Sequence, residues 1–348
     1  MDRPAVPSRL NARARVAGLY ALLVGANLGA WAWAFAAFRG HPALLATASL
    51  AYTFGLRHAF DADHIAAIDN VTRKLMDEGR RPISVGLWFS LGHSTVVVGL
   101  SLLIAASTAA LQDRFDALKA MGSLIGTGVS VLFLFLIAAA NVVVLLGVWR
   151  TFQSVKRGGP LVDEDVDRLL AGRGLMARVF RPVFGIVRRS WHMYPLGLLF
   201  GLGFDTATEV GLLGISASTA SQGLSVWSIM IFPALFTAGM TLLDTTDSVL
   251  MVGAYGWAFA KPIRKLYYNM TITVVSVAVA VLVGAVEALG LAADRLKLEG
   301  GFWDGVGALN DNFGVLGLVI VGLFVVSWAV SVAVYRYKRY DEAEAGVA

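Results

Sequence analysis

The chain has 348 residues, of which 57% are hydrophobic and 15% are charged, and its mean hydropathy is +0.68. Soluble domains carry about 45–50% apolar and about 25% charged residues, so this composition excludes a water-soluble globule and a disordered chain. Cysteine is absent, which excludes disulfides and thiolate ligands, and the net charge of +5 comes mostly from loops rather than from a surface for nucleic acid.

Eight apolar stretches are long enough to cross a bilayer, which takes roughly 20 residues. Backbone groups in lipid must be hydrogen-bonded internally, so these stretches should be helices. We therefore predict an all-α, polytopic membrane protein with eight transmembrane helices in a single membrane domain, 1–348. In chain order, the predicted spans lie near 16–38, 43–69, 83–111, 121–149, 192–221, 226–257, 266–291 and 313–335.

The basic residues predict the orientation of these spans. If the N-terminus is cytoplasmic, the inner segments carry 23 lysines and arginines and the outer loops carry 5. This bias follows the positive-inside rule and places both termini in the cytoplasm, as expected in an inner membrane. Residues 1–15 lack a cleavage site after a short apolar core, so we expect a retained cytoplasmic end. Residues 150–191 are the long cytoplasmic loop, and 336–348 are the cytoplasmic tail.

Ionisable residues are concentrated in the second predicted span, which reads FGLRHAFDADHIAAIDN over 54–70. On one continuous helix, at about 100° per residue, two imidazoles and two carboxylates would share a stripe of about 140°. Asp63 would point away from this stripe, so it is either a supporting partner of the ligands or lies where the helix is distorted. Arg57 could neutralise one of the acids, and Asn70 ends the string. The four residues on the stripe are His58, Asp61, His64 and Asp69.

Three other predicted spans contain polar strings at similar depth: FSLGHSTVVVG (89–99), GLGFDTATEVG (201–211) and AGMTLLDTTDSVL (238–250). A charge at the bilayer centre costs at least about 2.5 kcal/mol and usually marks function, although any one of them could be a simple inter-helix hydrogen bond. So many acids need a cation, which indicates one shared site. The polar residues of these strings include His93, Ser94, Thr95, Asp205, Thr206, Glu209, Asp244, Thr245 and Asp247.

Imidazole and carboxylate donors without sulfur suit nickel, cobalt, copper(II), zinc or iron, whereas a magnesium or calcium site would be built from oxygen alone. The sequence has neither a P-loop nor an HExxH motif, which argues against an ATP-driven pump and a zincin-type protease. We therefore expect the metal as a transported substrate, with no prosthetic group. An inside-negative potential favours entry of a divalent cation by about 4.6 kcal/mol per 100 mV.

Two pairs of strings resemble each other within the chain. FGLRHAFDADHI (54–65) resembles FGLGFDTATEV (200–210), and LGHSTVVVG (91–99) faintly resembles LLDTTDSVLMVG (242–253). Spans two and three would then correspond to spans five and six, which reverses their direction and makes an inverted repeat with the site at its interface. Chance recurrence of short Gly/Asp/Thr strings is the alternative.

Four strings together resemble the nickel/cobalt transporter (NiCoT) family: RHAFDADHI (57–65), FSLGHSTVV (89–97), LGFDTATEV (202–210) and the GM-x3-D-T-x-D pattern of 239–247. The resemblance implies a high-affinity permease for Ni²⁺ or Co²⁺ with eight membrane helices. It assigns metal binding and selection to His58, Asp61, Asp63, His64 and His93, and it extends to Asp205, Glu209, Asp244 and Asp247.

The sequence thus predicts an inner-membrane permease for Ni²⁺ and/or Co²⁺, not an enzyme. His58 and His64, with Asp61 or Asp63 and with His93 as a further candidate, are the expected ligands. Two alternatives stay open: an intramembrane metal-dependent hydrolase with zinc, and a proton-coupled carrier of another cation such as Mn²⁺. Nothing in the sequence indicates an oligomeric state. The predicted path and supporting residues are Arg57, Asp69, Asn70, Ser94, Thr95, Asp205, Thr206, Glu209, Asp244, Thr245 and Asp247.

Overall fold

The computed structural model describes residues 9–106, 112–156, 187–203, 207–258 and 262–337. Within these ranges the regular structure is helical and contains no strand, which confirms the prediction of an all-α protein. The helices are α1 (Arg9–Ala37), α2 (Pro42–His58), α3 (Ala62–Asp77), α4 (Val85–Ala106), α5 (Gln112–Lys156), α6 (Met193–Phe200), α7 (Ala207–Ser221), α8 (Val226–Ile229), α9 (Ile231–Ala258), α10 (Pro262–Leu296), α11 (Gly301–Asp311) and α12 (Phe313–Tyr337).

Five stretches of helix in the described residues are long and apolar enough to cross a membrane by themselves. A sixth is added if α11 and α12, which are bent by 75° relative to each other, form one span. The protein is therefore a multi-pass membrane protein. The predicted spans 43–69 and 192–221 are each divided between two shorter helices, so the number eight stays a prediction.

The prediction of one continuous helix over 54–70 is wrong. Helix α2 ends at His58, and α3 begins at Ala62 after Asp61, whose backbone is extended with φ −64° and ψ 142°. The Asp61 side chain does not cap α3, and its Oδ2 lies 2.7 Å from His58 Nδ1 instead. Helix α12 packs so closely on the break that a Cβ on Gly317 would overlap the carbonyl oxygen of Phe60. The break redirects the side chains on either side of it, so the stripe expected from helical periodicity does not exist.

Helix α9 packs against α2, α3 and α4 at the centre of the described structure. Two glycines permit this closeness: a Cβ on Gly55 would overlap the carbonyl oxygen of Phe236, and one on Gly86 would overlap that of Asp244. Backbones can approach in this way only where small residues meet. The polar residues of α2, α3, α4 and α9 are thereby brought to one buried region.

The predicted spans 43–69 and 83–111 imply an inner loop over 70–82, but the chain is still helical up to Asp77. Arg73 and Lys74, which the charge pattern assigned to this loop, are buried at 1% and 7% exposure. Lys74 Nζ donates to the carbonyl of Val187 at 2.6 Å, so the end of α3 is joined to the segment before α6. Most of the predicted loop 150–191 lies outside the described residues, and α5 extends to Lys156.

Candidate metal site

Three buried histidines from three different helices meet in this region. His58 is the last residue of α2, His64 lies in the first turn of α3, and His93 lies near the middle of α4. One ring nitrogen of each lies within 4.8 Å of the others, and their exposures are 2%, 0% and 3%. The helix break makes this possible because it lets His58 and His64 face each other, with ring centroids 4.6 Å apart.

Each imidazole lies beside a buried carboxylate. A carboxylate next to a metal-binding histidine fixes the tautomer and the orientation of the ring. The shortest nitrogen–oxygen distances are His58 Nδ1–Asp61 Oδ2 at 2.7 Å, His93 Nε2–Glu209 Oε1 at 2.9 Å and His64 Nδ1–Asp244 Oδ2 at 3.1 Å.

Several buried atoms at this place have no hydrogen-bond partner among the described residues. They include Nε2 of His64, Nδ1 of His93 and Oδ1 of Asp244. Buried polar atoms are nearly always hydrogen-bonded, so such a concentration of unpartnered donors and acceptors indicates room for a ligand. Nitrogen and oxygen atoms of this kind, without sulfur, suit a divalent transition-metal ion.

Two hydroxyls support the site, and the sequence analysis missed one of them. The Ser90 hydroxyl donates to Asp244 Oδ2, and the Thr208 hydroxyl lies 3.2 Å from His58 Nδ1. Ser90 precedes His93 by three residues and therefore lies on the same face of α4, a spacing that could have identified it. Thr208 is adjacent to Glu209 in the string that the sequence analysis had already singled out.

The remaining predicted residues lie in different places. Asp63 is half-buried in the first turn of α3, and Ser94 is buried with no partner for its Oγ within the described ranges. Arg57 is exposed, and no carboxylate of the described residues lies within ion-pair distance of it, so its predicted role as a counter-ion stays a prediction. Thr95 is exposed and its hydroxyl contacts the carbonyl of Leu91 and the Tyr194 hydroxyl, away from the histidines. Residues 205 and 206, the predicted Asp205 and Thr206, lie outside the described residues.

Four further predicted residues lie beyond the histidines. Thr245 is fully buried and Asp247 is half-buried, and neither Thr245 Oγ1 nor Asp247 Oδ2 has a hydrogen-bond partner in the part of the chain that the structure describes. Asp69 is fully buried and accepts hydrogen bonds from Tyr255 and Ser276, whereas Asn70 is hydrogen-bonded to Asn141. The structure thus separates the predicted residues into a histidine cluster, formed by His58, Asp61, His64, His93, Glu209 and Asp244, and a second polar region farther along α3.

Comparison with known proteins identifies the chain. The profile of the NicO family, described as high-affinity nickel-transport protein, matches residues 44–334. The chain belongs to this family. The resemblance found in the sequence motifs is thereby confirmed, and the family is one of transport proteins rather than enzymes.

Relatives are similar over nearly the whole chain. A high-affinity nickel transport protein from Cupriavidus necator is 64% identical over 332 residues, which is 95% of each chain. The nickel transporter NicT of Mycobacterium tuberculosis is 50% identical over 84% of this chain and 79% of its own. The cobalt transport protein NhlF of Rhodococcus rhodochrous is 40% identical over 84% of both chains. No solved structure matches the chain.

Proposed function

We propose that this chain is a secondary transporter that carries Ni²⁺ and/or Co²⁺ inward across the cytoplasmic membrane. The observation that carries the proposal is the histidine cluster: three buried imidazoles from separate helices, each beside a carboxylate, in a multi-pass member of the NicO family. Relatives named for nickel and for cobalt occur at similar coverage, so both ions are candidate substrates. The hydrolase alternative has no such support.

The histidine cluster can replace the water shell of a divalent cation. A dication moved into a low-dielectric interior loses hydration energy that only ligands and compensating charge can restore. The cluster offers both, because three imidazoles provide nitrogen donors and Asp61, Glu209 and Asp244 provide negative charge and oxygen donors. Burial of these acids without a cation would be costly, which favours a cluster that holds one in part of its cycle.

The helix breaks support the proposed inverted repeat of eight spans. The two internal strings that resemble each other, 54–65 and 200–210, each begin at the end of one helix and extend into the next: α2 into α3, and α6 into α7. Transporters built from inverted repeats bind their substrates at discontinuous helices near the repeat interface. His58 and Asp61 belong to the first break, and Glu209 follows the second. We propose that both termini are cytoplasmic.

We further propose a path of acidic and hydroxyl side chains on either side of the histidine cluster. Asp63, Asp205 and Thr206 belong to the approach, and Asp69, Asn70, Thr245 and Asp247 belong to the exit toward the end of α3. Asp247 of this path lies one helical turn after Asp244 of the histidine cluster on α9. An inside-negative potential supplies about 4.6 kcal/mol per 100 mV for entry of a divalent ion, so no ATP is needed.

Uptake by purified protein in liposomes tests the proposal. Nickel, cobalt, zinc and manganese are offered in turn as radioactive ions, with and without an imposed inside-negative potential. We expect saturable uptake of nickel or cobalt that increases with the potential and is lost in His64→Ala. His41→Ala is the matched control, because His41 is exposed before α2 and should leave uptake unchanged. Preference for manganese, or uptake that survives His64→Ala, would contradict the proposal.

A further inference from the structure

A second group of buried polar residues, here called the inner cluster, lies beyond the histidines along α3. Asp69 is five residues after His64, or about 7.5 Å along the helix. Its carboxylate accepts hydrogen bonds from Tyr255 on α9 and from Ser276 on α10, the latter at 2.7 Å. The inner cluster consists of Asp69, Asn70, Arg73, Asn141, Tyr255, Thr273 and Ser276.

The inner cluster contains a buried, positively charged side chain, Arg73, to which the proposed transport path assigns no role. Arg73 is 1% exposed; its Nη1 donates to Thr273 Oγ1 at 2.9 Å and its Nη2 to Asn70 Oδ1 at 3.5 Å. Among the described residues its Nε has no hydrogen-bond partner, and none of their carboxylates comes within ion-pair distance of the guanidinium. An arginine does not lose its proton in a protein, so a full positive charge is buried here and is hydrogen-bonded to the uncharged side chains of Thr273 and Asn70.

Acidic residues connect the histidine cluster to Arg73. Asp247 follows Asp244 by one turn on α9, and its buried Oδ2 has no partner among the described residues. Tyr255, two turns after Asp247 on α9, donates to Asp69, so the face of α9 that carries Asp244 and Asp247 leads to Asp69. Arg73 follows Asp69 by one turn on α3. A cation that leaves the histidines toward the end of α3 therefore meets two carboxylates and then a fixed positive charge.

This order of charges could prevent the acidic residues of the path from retaining the ion. Two carboxylates with neighbouring hydroxyls are good oxygen ligands for a divalent ion, so Asp69 and Asp247 alone could hold the ion instead of releasing it. A positive charge one turn away opposes that binding, and it does so strongly because the region is buried and poorly screened. The charge has to be permanent to act at every pH, which arginine provides and lysine in a buried position often does not.

We propose that Arg73 is an intramembrane counter-charge that prevents Asp69 and Asp247 from retaining the metal ion, so that the ion passes from the histidine cluster to the cytoplasm. This inference rests on the proposed transport function and adds a residue for release rather than for binding. Arg73 is held away from direct contact with Asp69 by Thr273 and Asn70. It therefore lowers the affinity of the acidic pair without occupying the path as an ion-pair partner.

Equilibrium binding of radioactive nickel to the purified protein in nanodiscs tests the inference by counting ions per chain. Wild type should bind one ion tightly. Arg73→Gln can keep hydrogen bonds to Thr273 and Asn70 but loses the charge, and it should bind a second ion and transport at least about tenfold more slowly. Arg73→Lys should bind one ion at pH 6, where the lysine carries its charge, and a second at pH 9, where a buried lysine loses it. Arg73→Gln combined with Asp69→Asn should return to one ion.

A merely structural role for Arg73 gives a different result. If the residue only joins α3 to α10, Arg73→Gln and Arg73→Met bind the same number of ions as wild type, and this outcome overturns the inference. Arg73→Met also removes the charge, so we expect it to bind a second ion as Arg73→Gln does. The inference can then be tested even if one of the two variants fails to fold. His64→Ala combined with Arg73→Gln separates the two proposals: it should lose the ion at the histidines and keep the ion at Asp69. If His64→Ala alone leaves binding unchanged, the proposed function is wrong instead.

Discussion

The Nε2 atoms of His58 and His93 lie 2.9 Å apart, although the two residues are on different helices and both are buried. One proton can join two such nitrogens. Two nitrogen ligands at about 2.1 Å from a metal and at a right angle to each other would be about 3.0 Å apart. The pair therefore has nearly the separation that a bound ion requires before any ion arrives.

His93→Ala should reduce the affinity for nickel by more than about tenfold, because it removes a nitrogen and leaves Glu209 buried beside an empty space. Binding of radioactive nickel in detergent measures the affinity. His58→Ala should have a similar effect, and the double variant should lose little more than either single variant, since the two rings act as a unit. Additive losses would show that the two histidines bind independently.

Ser90→Ala should weaken nickel binding by about tenfold to 100-fold, as is typical when a group that orients a ligand is removed. The Ser90 hydroxyl donates to Asp244, which in turn contacts His64. Ser101→Ala is the matched control: Ser101 is a buried serine on the same helix, and its hydroxyl has no partner among the described residues. Equal effects of the two substitutions would mean that Ser90 does not act through Asp244.

Gly86→Ala should abolish most uptake and destabilise the protein by about 1–3 kcal/mol, because the added methyl would overlap the backbone of α9 at Asp244. The two helices would have to separate, which displaces Asp244 from His64. Gly99 lies on the same helix, and no atom of the described residues lies within 4 Å of the methyl that Gly99→Ala would add, so this variant should be tolerated. Uptake and thermal unfolding of both variants, measured after verified membrane insertion, test this difference.

Glu78 follows the end of α3. At neutral pH, the protein with Glu78 should be slightly less stable than the Glu78→Gln variant. Burial raises the pKa of Glu78, although Lys74 and Arg80 partly oppose the shift. A carboxyl whose pKa is higher in the folded state stabilises the fold at low pH and loses that contribution as pH rises through the folded pKa.

Glu78→Gln should therefore raise the thermal midpoint at pH 8 by up to about 2 °C, and the difference should disappear near pH 4. The partly exposed position of Glu78 keeps the expected effect small. Glu299→Gln, at an exposed position between α10 and α11, should leave the midpoint unchanged at both pH values. A gain of equal size at pH 4 and pH 8 would show that the carboxylate charge is not its cause.

The sequence predicts the residue types at the site better than the geometry that assembles them. His58, His64 and His93 stand out because charged and polar groups are expensive in apolar spans. Their assembly depends on the turn between α2 and α3, which helical periodicity cannot reveal, since it assumes a straight helix. The turn is stabilised by distant packing, including the contact of Gly317 with Phe60, which lies more than 250 residues away in sequence.

Arg73 shows a second limit of sequence reasoning. A basic residue after an apolar stretch usually marks the end of a membrane helix, and Arg73 was assigned to a loop for that reason. The structure buries it because Thr273 on α10 and Asn70 accept its hydrogen bonds, and the first of these partners is 200 residues away in sequence. Only the folded arrangement shows that this charge lies inside the protein.

The segments that supply the imidazoles and carboxylates are separate pieces of chain, two of them interrupted next to the ligands themselves. A bound ion would therefore connect five helices, α2, α3, α4, α7 and α9, at a single point, and its release would separate them again. The ion-bound protein should accordingly resist proteolysis and amide exchange at these helix breaks, whereas the ion-free protein should be cleaved and should exchange there more readily. Ion binding would in this way change the conformation of the transporter directly.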